Sequence, residues 1–284
     1  MYVSCSLLAC AKARYPTVAE SLARLADLGF RAVDLDAFEN WQHVNPSELA
    51  AGGEAAIDAL AETIRASGLA VGGFNCGMSR QLTDPDPEAF ARYRREFEAL
   101  LGLAERVGCP SLTVQPGRAE EGREAGELLK LVARRLGELC DAAGPRGVSV
   151  GVEAHQGSLL EDPKVARRVF AELCPAAGLT YDPSHFAMQD IPLPETESLL
   201  RHAVHVHVRN AAPGKMQETM AHGVVDFDWL VAALKRCGYD GAVAIEYFSD
   251  FDPAFESVLA LRDKLLACGV ADGPSPHRTA KERR

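Results

Sequence analysis

Four side chains suited to hold a divalent cation stand at the ends of four successive strand-like runs: Glu153, Asp182, His207 and Glu246. In the run Val148-Ser149-Val150-Gly151-Val152-Glu153-Ala154-His155, Glu153 and His155 share a face because strand side chains alternate with period two. Leu179-Thr180-Tyr181-Asp182 reads as a buried strand stopped by Pro183, which has no N–H for the ladder, so Asp182 falls at its carboxyl tip. His205-Val206-His207-Val208-Arg209 alternates in the same way, and Ala242-Val243-Ala244-Ile245-Glu246 ends in a carboxylate. One charged residue at a strand end is ordinarily a solvated tip or a helix cap; four in succession over apolar strand bodies need another reason. Carboxylates crowded in a partly dry site repel, and a divalent cation is the simplest compensation. Three carboxylates and one imidazole make a hard, oxygen-rich set that favours Mn²⁺ or Mg²⁺, with Co²⁺ or Zn²⁺ as alternatives. An ion preferring about six positions keeps two free, where neighbouring oxygens of a sugar or hydroxy-ketone can chelate.

Such a site needs a scaffold that gathers four strand ends. Strand patterns at 2–8, 31–38, 69–75, 111–115, 148–155, 179–182, 203–209 and 241–248 alternate with helical ones at 17–28, 46–67, 87–107, 123–143, from 162, 194–201, 226–237 and 253–268. Alternation of this kind calls for a parallel sheet, and eight units in about 270 residues predict one closed (β/α)8 barrel over residues 1–271. No G-x-G-x-x-G follows the first strand, which argues against an open dinucleotide-binding sheet. Strands five to eight are neighbours on the ring, so the four ligands would meet at one side of the C-terminal mouth, where barrels build their active sites.

Composition narrows the partners. A net charge of −10 opposes a nucleic-acid partner, whose phosphates it would repel on average. The eight cysteines contain no C-x-x-C pair and read as small buried residues, which fits a reducing cytoplasm. No apolar run of about 18 residues and no signal-peptide pattern predict neither membrane insertion nor secretion. The tail 272–284 mixes Pro, Gly and charge and is expected to be disordered.

The series Gly151-Val152-Glu153-Ala154-His155, Tyr181-Asp182-Pro183-Ser184-His185, His205-Val206-His207-Val208 and Ala244-Ile245-Glu246-Tyr247 resembles the sugar phosphate isomerase/epimerase superfamily of xylose isomerase-like TIM barrels. That group includes ketose 3-epimerases, hydroxypyruvate isomerases and inosose dehydratases. The resemblance spans nearly the whole chain and is specific in the second half. It implies one divalent metal on Glu153, Asp182, His207 and Glu246, with Glu153 and Glu246 also serving as the catalytic acid/base pair on opposite faces of the substrate. His185 of the D-x-x-H motif would touch a substrate oxygen. The implied activity is isomerisation or epimerisation of a small sugar or keto-polyol by proton transfer through a metal-bound enediolate. A lyase of the inosose dehydratase type is the alternative, distinguished by loss of water. A hydrolase of the AP-endonuclease type would need more histidines and a basic DNA-facing surface, and a non-catalytic sugar-binding barrel would leave the four ligands unexplained. Relatives form dimers or tetramers, so a homo-oligomer is compatible. Ketose 3-epimerases follow the metal histidine with a segment ending in Asn-Arg; here Val208-Arg209-Asn210-Ala211 follows His207, which brings Arg209 nearer as a candidate substrate contact.

The chemistry agrees. Removing a proton beside a carbonyl leaves an enediolate, which a cation on both oxygens stabilises, and two carboxylates flanking its plane allow removal on one face and return on the other. His155 is a further candidate substrate contact, and His205, one layer deeper than His207, a supporting interior histidine. His222 lies in the long loop 210–225, which is placed to act as a lid, and Trp41 with His43 can cap a sugar ring. Met78 and Arg80 behind the third strand read first as loop residues, and Lys12 and Arg14 as solvated charges. No glycine-rich phosphate cradle follows strands seven and eight, which favours an unphosphorylated substrate.

Overall fold

Eight parallel strands close on themselves in a computed structural model of the chain, which describes residues 1–119 and 122–275. They are β1 (Tyr2–Ser6), β2 (Ala32–Phe38), β3 (Ala70–Gly77), β4 (Ser111–Val114), β5 (Ser149–Glu153), β6 (Gly178–Tyr181), β7 (Ala203–Val208) and β8 (Ala242–Ile245). Each pairs with its sequence neighbours, and β8 returns to β1 with Val3 opposite Val243. Around them run α1 (Val18–Asp27), α2 (Pro46–Ala66), α3 (Pro87–Val107), α4 (Ala125–Ala143), α5 (Pro163–Arg168), α6 (Pro183–Ala187), α7 (Leu193–Thr196), α8 (Phe227–Arg236) and α9 (Glu256–Ala267). The predicted (β/α)8 barrel is the observed fold.

Local chemistry sets the helix starts. Thr17 and Glu20 form a reciprocal capping box on α1. Asp86, Asp162 and Asp182 each cap a helix whose first residue is proline, which needs no hydrogen-bonded N–H there. The last of these, α6, corrects the sequence reading, in which Pro183 only ended a strand. It also begins a helix, and Asp182 Oδ1 accepts the Ser184 N–H at 2.8 Å.

Several strands are shorter than their apolar pattern. β5, β6, β7 and β8 stop at Glu153, Tyr181, Val208 and Ile245. Arg209 and Glu246, the residues after β7 and β8, line the mouth. At the other end of the chain, Ser6 caps a 3-10 turn over Leu7–Ala9, so β1 does not reach residue 8. The helix expected from 253 begins at Glu256, because the Asp252 carboxylate accepts the N–H groups of Glu256 and Val258 at 2.9 and 2.8 Å.

Apolar side chains of strands and helices form one continuous core between the sheet and the helical ring. Polar groups occupy the barrel interior, and glycines make room for them. A Cβ on Gly73 would lie 2.7 Å from the His205 ring, and one on Gly72 would lie 2.6 Å from Asp34 Oδ1. Thr113 and Thr180 meet across the interior at 2.7 Å. The chain end is tied back by the Val3 N–H to Ala271 O bond at 2.8 Å and by the Arg31–Asp272 ion pair at 2.9 Å. The rest of the tail, 276–284, lies outside the described residues. Among the described residues no helix is long and apolar enough to cross a membrane.

Candidate metal centre and active site

The carboxyl ends of the strands surround a cavity of about 490 Å³ lined by Glu153, His155, His185, Arg209 and Glu246, with Trp41 and Phe248 on its wall. A larger open groove of about 1320 Å³ lies outside the barrel between α2 and α3 and contains none of these residues. Of these two cavities, the one at the mouth brings concavity together with the candidate ligands.

Three of the expected ligands converge at the floor. Ligand atoms of Glu153, His207 and Glu246 all lie within 4.8 Å of one another. His207 Nδ1 faces Glu153 Oε1 at 3.2 Å and Glu246 Oε1 at 3.5 Å. Asp182 groups with Glu153 and His185 instead. Its Oδ1 caps α6, and its Oδ2 accepts from Arg209 Nη2 at 2.7 Å.

Neighbours fix each carboxylate. Asn75, near the end of β3, donates to Glu246 Oε1 at 2.6 Å. Gln115, just past β4, donates to Glu153 Oε2 at 3.1 Å. Arg209 spends all five of its N–H groups inside the protein. Nε donates to Ser184 Oγ at 3.0 Å and Nη1 to the Glu246 carbonyl and Oε2 at 2.9 and 2.8 Å. Nη2 donates to Asp182 Oδ2 and to His185 Nε2, the latter at 3.2 Å. Arg209 therefore lines the cavity but acts as an internal cation on two carboxylates, with no N–H left over in this arrangement for a substrate.

The layer below is built from similar groups. Asp34 accepts from Ser4 Oγ at 2.6 Å and from His205 Nε2 at 2.5 Å. Asp36 accepts from Ser6 Oγ and the Leu8 N–H, while its Oδ1 is buried without a hydrogen-bond partner. His207 links the layers: its Nε2 is buried without a hydrogen-bond partner, 3.9 Å from Asp34 Oδ2. His205 holds the supporting interior place expected of it.

Electrostatics separate the two glutamates. Burial alone would raise the Glu153 carboxyl, but the His207 hydrogen bond and the nearby imidazoles hold it well below the ordinary value. Glu246 is raised, chiefly by burial, despite His207 and Arg209. Burial opposes a charge on His207, yet Glu246 and Glu153 push it up to about 10. Burial brings His185 down to about 4, in keeping with its accepting a hydrogen bond from Arg209.

The donor set fits a divalent cation. Ligand atoms within 4.8 Å of one another can share an ion at bond lengths of about 2.0–2.2 Å. Glu153, His207 and Glu246 would hold it, and Asp182 could join through Oδ2 by sharing that oxygen with Arg209.

The remaining candidates divide. His155 lines the cavity, its ring 5.7 Å from that of His185 and its Nδ1 on Gln156 O at 2.8 Å. Trp41 is 50% exposed on the wall and packs edge-on against Phe248 at 5.7 Å. His222 is not brought to the cavity; it is exposed, with Nδ1 2.9 Å from Thr219 Oγ1. Asn75, Gln115, Asp34 and Phe248 are site residues that the sequence reading missed. The same rule of polar residues at strand ends would have found Asn75 and Gln115 had it been applied to amides as well as titratable groups.

A family model described as xylose isomerase-like TIM barrel matches residues 22–264. The chain belongs to this family. It is 27% identical over 262 residues to a putative hydroxypyruvate isomerase of Streptomyces coelicolor, covering 84% of this chain and 88% of that protein. It is 30% identical over 122 residues to a ketose 3-epimerase of Arthrobacter globiformis, covering 40% of each. Among solved structures, a 3-keto-D-glucoside 4-epimerase from E. coli superposes with a TM-score of 0.73 at 19% identity, covering 95% of this chain and 99% of that one, a likeness of fold.

Proposed function

We propose that this family member is a divalent-metal-dependent isomerase or epimerase of a small sugar or keto-polyol. The observation that carries the reading is the convergence of Glu153, His207 and Glu246 at the floor of a cavity with an aromatic wall. The hydroxypyruvate isomerase and ketose 3-epimerase relatives support it. A bound cation, Mn²⁺ or Mg²⁺ by donor hardness, would supply electrostatic stabilisation to the oxyanion that develops beside the reacting carbon.

The chain's own residues handle the proton. Glu153, held by Gln115, is the candidate to take a proton from a carbon next to the carbonyl. Glu246, which holds a proton more readily, comes from three strands further round the ring and can return one from another side. Arg209 and Asn75 keep the Glu246 carboxyl in one orientation, and Trp41 with Phe248 covers the apolar face of the substrate. His185 lines the cavity, and by the family resemblance it would contact a substrate oxygen. Return of the proton to the same carbon is epimerisation, and return to its neighbour is isomerisation.

The cavity-lining His155 supports one second reading. Its imidazole can protonate a departing β-hydroxyl, which turns the same proton abstraction into dehydration. Proton exchange in D₂O across a panel of ketoses and inososes tests both. Solvent deuterium appears in substrate and product for isomerase or epimerase action; an unsaturated, dehydrated product marks the lyase. No exchange of any compound by the metal-supplemented protein contradicts both.

A further inference from the structure

The cavity changes sign from floor to rim. Glu153 and Glu246 are the acidic residues that line it, among the described residues, and both lie at the floor. At the rim stand Arg80, three residues past β3, and Arg118, four past β4. Neither has a hydrogen-bond or ion-pair partner among the described residues. In a chain of net charge −10, unpaired guanidinium groups above a carboxylate floor invert the local field.

Both arginines are rooted on fixed backbone. The buried Glu96 of α3 accepts the Ser79 N–H at 2.8 Å and the Ser79 hydroxyl, which pins the residue before Arg80. Arg135 donates to the carbonyls of Leu82 and Asp84 at 2.8 and 2.6 Å, and Arg123 to that of Thr83 at 2.7 Å. Beside Arg118, Gly117 has φ +82°, and a Cβ there would lie 2.7 Å from Thr83 Cγ2. A residue with a side chain would be strained and would force the two loops apart. The Leu159 N–H to Gly117 O bond at 3.0 Å holds the second loop from its other side. Two free cationic side chains thus project from one rigid platform. On the closed ring, β3 and β4 lie opposite β7 and β8, which carry His207 and Glu246.

We propose that Arg80 and Arg118 form an anion site for the far end of the substrate, so that the compound turned over is a carboxylate- or phosphate-bearing sugar or keto-polyol. The inference rests on the isomerase or epimerase reading and narrows its substrate class. The metal-binding floor takes the carbonyl end and the rim supplies the unpaired cations, so the anion stays against the β3 and β4 loops. Arginine suits either anion through paired N–H donors.

The test uses the full-length, metal-supplemented protein with matched triplets: a neutral ketose, its terminal carboxylate and its terminal phosphate. Wild type is expected to prefer one anionic member by about tenfold or more in kcat/KM, each charge-assisted contact being worth roughly one power of ten. Which anion gains identifies the group. Arg80→Gln with Arg118→Gln should raise KM for that member by tenfold or more, with at most about a threefold change on the neutral one. Arg80→Lys with Arg118→Lys should restore part of the loss, and added salt should erode the preference. Equal or better use of the neutral ketose, unaltered by the double variant, overturns the anion site and leaves the isomerase reading standing. If nothing is turned over, calorimetric binding of the same triplets decides. A preference lost in the double variant upholds the site without that chemistry, and binding indifferent to charge overturns it.

Discussion

Two layers of the barrel interior pair histidine with carboxylate and do different things. In the lower layer, Asp34 meets Ser4 and His205 in short bonds, and Gly72 and Gly73 leave no spare room around them. In the upper layer, Glu153 and Glu246 crowd round His207, Asp182 stands beside Glu153 and His185, Arg209 is the permanent cation among them, and the cavity opens onto the two glutamates. A closed network fixes structure; an open one with surplus negative charge is suited to a cation. The difference is access and charge balance rather than residue type, since both layers come from strands with the same alternation.

The layers should part most sharply under mutation at the top. Glu153→Gln or Glu246→Gln keeps the shape but removes the proton carrier, and the exchange rate on the best substrate should fall by about 10²–10⁴. Circular dichroism should be unchanged. Next comes Arg209→Met, which leaves Asp182 and Glu246 buried without their cation. A loss of about 3–5 kcal/mol is expected in denaturant unfolding of the chelator-stripped protein. A divalent ion should restore more stability to this variant than to wild type.

In the lower layer, Asp34→Asn should weaken the His205 contact and lower Tm by several degrees, an effect of about 1–3 kcal/mol. The exchange rate should stay within about tenfold of wild type, because Asp34 does not reach the cavity. A fall as large as that for Glu246→Gln would erase the distinction between the layers.

Protonation gives a finer test on the chelator-stripped protein. The His207 pKa is raised in the fold, so its contribution is fully present below the unfolded value of about 6.5 and is lost as pH rises toward about 10. That of His185 is lowered to about 4, so stability on its account falls as pH drops from about 6.5 toward 4. The stripped protein should thus be most stable near neutral pH, and His207→Asn should flatten the alkaline limb of a Tm-against-pH series. Trp41→Ala should do least, raising KM a few fold by removing one exposed ring from the wall.

Much of this was legible in the sequence. Eight alternating units gave the barrel, and strand-end position singled out Glu153, His207 and Glu246, whose ligand atoms lie together in the structure, because period-two alternation leaves few ways to orient those strands. Arg209 was visible as a residue on the His207 face but not as the bond partner of Asp182, since that contact joins the ends of two neighbouring strands, β6 and β7, that are separated in the chain. Asp34 and Asn75 depend on side-chain contacts across the barrel interior to residues 171 positions away on or just past β7 and β8, which no local pattern carries. His222 illustrates the converse: a long loop on the catalytic side suggested a lid, but the turn around Thr219 keeps the ring outside.

The most direct test of the central claim is Mn²⁺ titration of chelator-stripped protein, read by the electron paramagnetic resonance of the free ion. One ion per chain should bind to wild type and to Asp34→Asn, with affinity strongly reduced in Glu153→Gln, His207→Asn and Glu246→Gln. Binding that survives the upper-layer substitutions, or that disappears only with Asp34→Asn, would contradict the account and place the cation elsewhere.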